Sequence, residues 1–162
     1  MESSERKPNR LCEYDYSQNG AYFITICTQD RKKILSSIIG GGAHDAPIVT
    51  LTKVGEIARK YILSGNRIPG VTVDKFVIMP DHIHMIVFIG EKGTSGVPAP
   101  VNAVVPHFVS AFKRLCHREI GEPIFQRSYY DHVIRNQMDY DEILQYIENN
   151  PRKWVIKERG YE

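Results

Sequence analysis

Apolar positions along the chain switch between two periods, and the switches mark out the elements. Residues 21–28, AYFITICT, are rich in β-branched and aromatic side chains and predict a strand. After Thr52 the period lengthens. Val54, Ile57, Ala58, Tyr61 and Ile62 recur at helical spacing, with Thr52 as N-cap and Gly65 as the stop. VTVDKFVIM and HIHMIVFI then read as two strands meeting at Pro80-Asp81, a hairpin signal. PHFVSAFKRLCHREIG is a second amphipathic helix, with Phe108, Val109, Phe112, Leu115 and Cys116 on its apolar stripe. IFQRSYYDHVI reads as a fourth strand. NQMDYDEILQYIENN reads as a third helix, ended by Pro151, because the residue before a proline disfavours helical angles. Two Gly/Pro/Ser-rich stretches, 40–47 and 90–106, read as flexible loops.

The order β-α-β-β-α-β-α begins as the ferredoxin-like split βαβ arrangement does, an α+β fold. It predicts a four-stranded antiparallel sheet with two helices on one face, the other face left for a ligand or partner. The last helix is an addition to that frame. A single domain over 1–162 is expected, with flexible tails at 1–13 and 155–162 and a flexible loop at 91–104.

Charge narrows the function classes only a little. Lys and Arg number 21 against 19 Asp and Glu, so any nucleic-acid binding must come from local clusters. Cys12, Cys27 and Cys116 are odd in number and lack CxxC spacing, which points to a reducing, cytoplasmic setting. No apolar run is long enough to span a bilayer, and the polar N-terminus lacks the core of a signal peptide. Neither Gly-rich stretch fits the GxxxxGK[ST] phosphate loop.

Candidate chemistry begins at His82 and His84. Alternation along a strand sends both to one face, about 7 Å apart by strand rise, while Ile83, Met85, Val87 and Ile89 face the other way. Two imidazoles so placed are able to share a divalent metal; they are equally at home on a solvated sheet face. In the last helix, Tyr140, Ile143, Leu144 and Ile147 form the packing stripe. Tyr146 falls roughly 100° off its middle, and Asn150 lies one turn further on the same side. A phenol and an amide are thus presented together. The bland alternatives are an aromatic at the edge of the core and an ordinary residue near a helix end.

Taken together, YDYSQNGAYFITICTQDR, VIMPDHIHMIVFI, FQRSYYDHVIRN and QYIENNPRKW resemble the REP-associated tyrosine transposases, single-tyrosine members of the HUH superfamily. The likeness runs from about Tyr14 to Trp154 in the family's order. It implies that His82 and His84 form the histidine pair that binds a divalent cation, Mg²⁺ or Mn²⁺. Tyr146 matches the nucleophile that attacks single-stranded DNA to give a 5′-phosphotyrosine link and a free 3′-hydroxyl. Asn150 matches the third metal-coordinating side chain, a place where related insertion-sequence enzymes usually carry Gln. Histidine ligation suits Mn²⁺ better than Mg²⁺, which prefers oxygen. The expected partner is single-stranded or hairpin DNA, bound by a monomer or a homodimer.

Basic residues offer phosphate contacts: Lys113, Arg114 and Arg118 on the second helix, Arg127 and Arg135 around the fourth strand, Arg152 and Lys153 after the tyrosine. Two other functions remain open on the same residues. One is a non-catalytic nucleic-acid-binding module, since such sheets also bind RNA. The other is a metal-dependent nuclease using activated water, in which Tyr146 would be dispensable.

Overall fold

The computed structural model describes residues 20–42, 44–90 and 104–160. Its elements run β1 (Gly20–Cys27), β2 (Ser36–Ile39), β3 (Ile48–Leu51), α1 (Lys53–Ser64), β4 (Val71–Ile78), β5 (His82–Ile89), α2 (Val104–Ile120), β6 (Tyr130–Ile134) and α3 (Gln137–Glu158). Four strands make an antiparallel sheet in the order β4-β5-β1-β6. This is the ferredoxin-like arrangement that the element order predicts. The hairpin at Pro80-Asp81 forms as read: Ile78 pairs with Ile83, and the turn closes with Met79 N–H donating to the His82 carbonyl at 2.8 Å.

Strand alternation divides the sheet's side chains between two faces. Tyr22, Ile24 and Ile26 of β1 and Ile83, Met85, Val87 and Ile89 of β5 share the main core with α1 and α2. Phe23 of β1 and Ile86 of β5 point to the opposite face, where Ile147 of α3 joins them and Tyr140 and Ile143 pack alongside. The second face is therefore not open, as expected, but covered in part by the third helix. The apolar stripe of α3 needs burial, and Phe23 and Ile86 give it a surface to cover. Among the described residues, no helix is long and apolar enough to cross a membrane.

The ends of α1 show how local chemistry fixes the packing. Thr52 caps the helix as expected, its hydroxyl accepting from Gly55 N–H at 3.0 Å. Gly65 does end α1, yet with a φ of −57° it is not there for left-handed backbone. A Cβ at that position would stand 2.2 Å from the Phe108 ring, so close helix packing is what requires glycine.

Two readings are corrected, and one hairpin goes unread in the sequence. The stretch 40–47 lies outside helix and strand, as the loop reading expects, but it joins a short hairpin, β2 paired with β3. Each strand has only four residues and leaves large apolar side chains such as Ile39 and Ile48 exposed, so neither carries a clear alternating signature. The fourth strand is confined to Tyr130–Ile134, with Phe125 reduced to an isolated bridge to Thr28. The third helix does not end at Pro151 but runs through it to Glu158, so the expected tail at 155–162 begins as helix. Proline removes one backbone donor and crowds the preceding turn. Tertiary contacts offset that: Val155 packs over Gly41, Lys33 pairs with Glu158 at 3.0 Å, and the Arg159 guanidinium donates to the Gly40 carbonyl at 3.1 Å. The expected tail at 1–13 lies outside the described residues. So does the expected loop at 91–104, except for Val104, which opens α2.

Candidate active site

His82 and His84 stand on β5, between β4 and β1, on the face that carries α3. Their ring centroids are 4.5 Å apart, closer than strand rise alone would set them, because the rings lean together. Both are buried. His82 Nδ1 lies 2.6 Å from Asp81 Oδ1, and His84 Nδ1 lies 2.7 Å from Thr25 Oγ1. Each ring is thus held through Nδ1, and neither Nε2 has a hydrogen-bond partner among the described residues. Histidines that bind metal are commonly held in this way, with the second nitrogen oriented by an outer partner. Burial, reinforced by the neighbouring His82 and Arg31, pushes the His84 imidazole down to about 3. It is neutral at ordinary pH and keeps a lone pair to offer.

Across from the pair runs α3, presenting one side at intervals of about a turn. The Tyr146 ring lies 5.3 Å from His84 and meets Phe23 edge-on at 6.1 Å. Two turns later, Trp154 lies 6.2 Å from His82. Asn150 falls midway between them on the same side and is buried. The helical phase that sets Tyr146 and Asn150 together therefore directs both along the histidine pair. Tyr146 is 41% exposed, which leaves its phenol open to a large ligand. The ammonium of Lys153 sits 5.0 Å from the centre of the Tyr146 ring.

Tyr140 lies elsewhere on the helix and is already engaged. Its hydroxyl donates to Asp74 Oδ2 at 2.5 Å, at the register shift in β4. That bond, more than burial, pushes its phenol up to about 12 and disfavours the phenolate.

Among the described residues, no group of three His, Cys, Asp or Glu is gathered closely enough to hold a metal alone. Two imidazole nitrogens are available, and the third donor would be the Asn150 amide oxygen. Such a mixed nitrogen and oxygen set fits Mn²⁺, and fits Mg²⁺ less well.

The basic residues divide by layer. Arg152 and Lys153 lie on α3 beside Tyr146, and Arg127 lies next to Gln126, whose N–H donates to the Cys27 carbonyl at the histidine end of the sheet. Arg135 lies between β6 and the N-cap of α3 at the opposite end, beside a shallow cleft with Phe88 and Tyr140. Arg114 and Arg118 are exposed on α2, in the layer across the sheet from the histidines. Lys113 is taken up by the fold: its ammonium donates to the carbonyls of Gln126 and Arg127 at 2.7 and 3.0 Å, and burial lowers its pKa. Sequence reasoning did not single out Asp81, Thr25 or Trp154. Only Trp154 carried a signal, two helical turns from Tyr146.

No established family profile matches the chain. It is 31% identical over 168 residues to an uncharacterised protein of Haemophilus influenzae, covering 92% of this chain and 89% of that one. A second protein of H. influenzae, provisionally named a REP-associated tyrosine transposase, is 27% identical over 160 residues, 91% of this chain and 81% of the relative. Among solved structures, a REP-associated tyrosine transposase bound to a REP hairpin matches with a TM-score of 0.61 and 22% identity, over 88% of this chain and 74% of that one.

Proposed function

Because the chain belongs to the REP-associated tyrosine transposase family, we propose that it cuts and rejoins single-stranded DNA beside hairpin-forming, repetitive extragenic palindrome-like sequences. The observation that carries this reading is the placement of Tyr146, half-exposed, against His84 and one turn from buried Asn150. In the first step the Tyr146 oxygen attacks a phosphorus and the bond to the 3′ oxygen breaks. The phenol gives up its proton, the departing oxygen gains one, and a 5′-phosphotyrosine and a free 3′-hydroxyl result. In the second step a 3′-hydroxyl attacks the phosphotyrosine, and the tyrosine leaves. The phosphodiester energy is conserved, so no ATP is needed.

His82, His84 and Asn150 would hold a divalent cation, Mg²⁺ or Mn²⁺. When bound, it supplies positive charge to a non-bridging phosphate oxygen as negative charge builds there. Asp81 and Thr25 orient the two imidazoles, and Trp154 lies beside His82. Arg152 and Lys153 steady the strand through its phosphates. Lys153 also brings a cation to the Tyr146 ring face. The tyrosine meets the histidines of its own chain, which supports action in cis, whether the protein is a monomer or a homodimer. The setting would be the cytoplasm, where chromosomal DNA lies.

The test is to trap the covalent intermediate. A hairpin-bearing single-stranded DNA is incubated with the protein and Mn²⁺, and the product is denatured and mapped by mass spectrometry. An adduct on Tyr146 is expected. Cleavage with no adduct would establish the water-activating nuclease instead. Hairpin binding with neither cleavage nor adduct would favour the non-catalytic module.

A further inference from the structure

We infer that Asp81 is the positioning residue of the histidine pair. Its buried carboxylate fixes the His82 ring with a proton on Nδ1, and so keeps the Nε2 lone pair free for a divalent cation. This deepens the proposed function and rests on its reading of His82 as a ligand. Asp81 Oδ1 lies 2.6 Å from His82 Nδ1, and an ionised carboxylate only accepts, so the ring nitrogen donates. An imidazole that donates from Nδ1 is left with its lone pair on Nε2.

The carboxylate is itself held from several directions. Asp81 is 6% exposed, and its second oxygen pairs with Arg31 Nε at 3.2 Å. Its carbonyl accepts from both Thr28 N–H and Thr28 Oγ1, each at 3.0 Å. The guanidinium arrives by an unusual route. Asp30 and Arg31 both adopt left-handed backbone, with φ of 55° and 53°, in a turn where neither is glycine. Such residues are rare and persist where the surroundings over-determine them. Here the Thr28 bridge to Phe125 and the Asp81 pair fix the turn on both sides. The result is a relay of orientation, Arg31 to Asp81 to His82, in which only the last member faces the proposed cation.

A purely structural ion pair between Arg31 and Asp81 would fit the same distances, so the test reads the imidazole itself. In metal-free, ¹⁵N-labelled protein at pH 8, a long-range proton–nitrogen correlation spectrum should show His82 protonated on Nδ1. In Asp81→Ala it should move toward the Nε2-protonated form that an unrestrained histidine prefers. Titration of Mn²⁺ into metal-free protein should show affinity falling about 10- to 100-fold in Asp81→Ala, the usual range for loss of an outer partner. Asp81→Asn keeps an oxygen able to accept from Nδ1 and should recover most of that loss. Finding the parent His82 protonated on Nε2 overturns the inference with no variant needed. Parent Mn²⁺ affinity in folded Asp81→Ala does so too. His82→Ala separates the two claims: if it loses Mn²⁺ while Asp81→Ala does not, only the positioning role fails. If it binds as the parent does, the metal site itself is misplaced.

Discussion

Two substitutions on one helix, Tyr146→Phe and Tyr140→Phe, each remove a single hydroxyl and should act in opposite senses. The Tyr146 hydroxyl has no hydrogen bond among the described residues, and its side chain is 41% exposed. Removing it should leave stability within about 0.5 kcal/mol of the parent, as at other surface positions. The Tyr140 hydroxyl donates to the Asp74 carboxylate at 2.5 Å. Bonds to charged groups contribute about 1.5–3 kcal/mol, and partial access of water brings this one down to about 1 kcal/mol. For a chain of this size that lowers the melting temperature by about 2–4 °C. Cleavage should follow the reverse order: lost with its covalent adduct in Tyr146→Phe, retained in Tyr140→Phe. The assay pairs thermal unfolding with cleavage of a hairpin-bearing single strand in Mn²⁺, and gel shift checks that DNA binding persists, since phosphate contacts do not need the phenol. An active Tyr146→Phe beside a folded but inactive Tyr140→Phe would show that the wrong tyrosine has been assigned. Unchanged cleavage in both, still dependent on metal, would make water the nucleophile.

Three further outcomes follow from the packing and charges. Gly55→Ala should destabilise the fold by about 1–3 kcal/mol, because its Cβ would stand 2.0 Å from the Leu35 carbonyl oxygen; urea unfolding measures this. The hydrogen bond from His132 holds the Asp139 carboxyl below its ordinary 3.8. Its contribution to stability is therefore full above that value and lost as pH falls through the lower, folded one. Asp139→Asn should flatten the acid limb of a melting-temperature series below about pH 4. Lys113→Met should lower stability with little effect on DNA affinity, whereas replacing Arg152 and Lys153 together by Ala should weaken binding and reduce its dependence on salt, read by fluorescence anisotropy.

Much of the site was legible because it depends on phase alone. Strand alternation places His82 with His84, and helical spacing turns Tyr146 away from Ile143 and Ile147 and sets Asn150 beside it. The cap at Thr52 was equally local. What could not be read depends on contacts between distant segments. Pro151 reads as a stop until Gly41, Gly40 and Lys33 are brought beneath the helix that follows it. Lys113 reads as a phosphate contact, and the sequence does not show that the carbonyls of Gln126 and Arg127 accept hydrogen bonds from its ammonium. Asp81 looks like half of a turn, and nothing near it in sequence announces Arg31, fifty residues earlier. The second face of the sheet looked open because the stripe of α3 states only that something must be covered, not what.

The division of the site between β5 and α3 also bears on how the protein is made. During synthesis the histidines leave the ribosome well before the tyrosine, and β1 must wait for β6 before its second edge is paired. A nascent chain can hold the imidazoles, yet it lacks Tyr146, the nucleophile of the proposed mechanism. The far end of the helix that carries it meets the rest of the fold through Glu158, which pairs with Lys33. Truncated or stalled products that end before residue 146 therefore cannot break a chromosome by this chemistry. On the proposed mechanism, the protein becomes competent only once the helix that carries Tyr146 has been added.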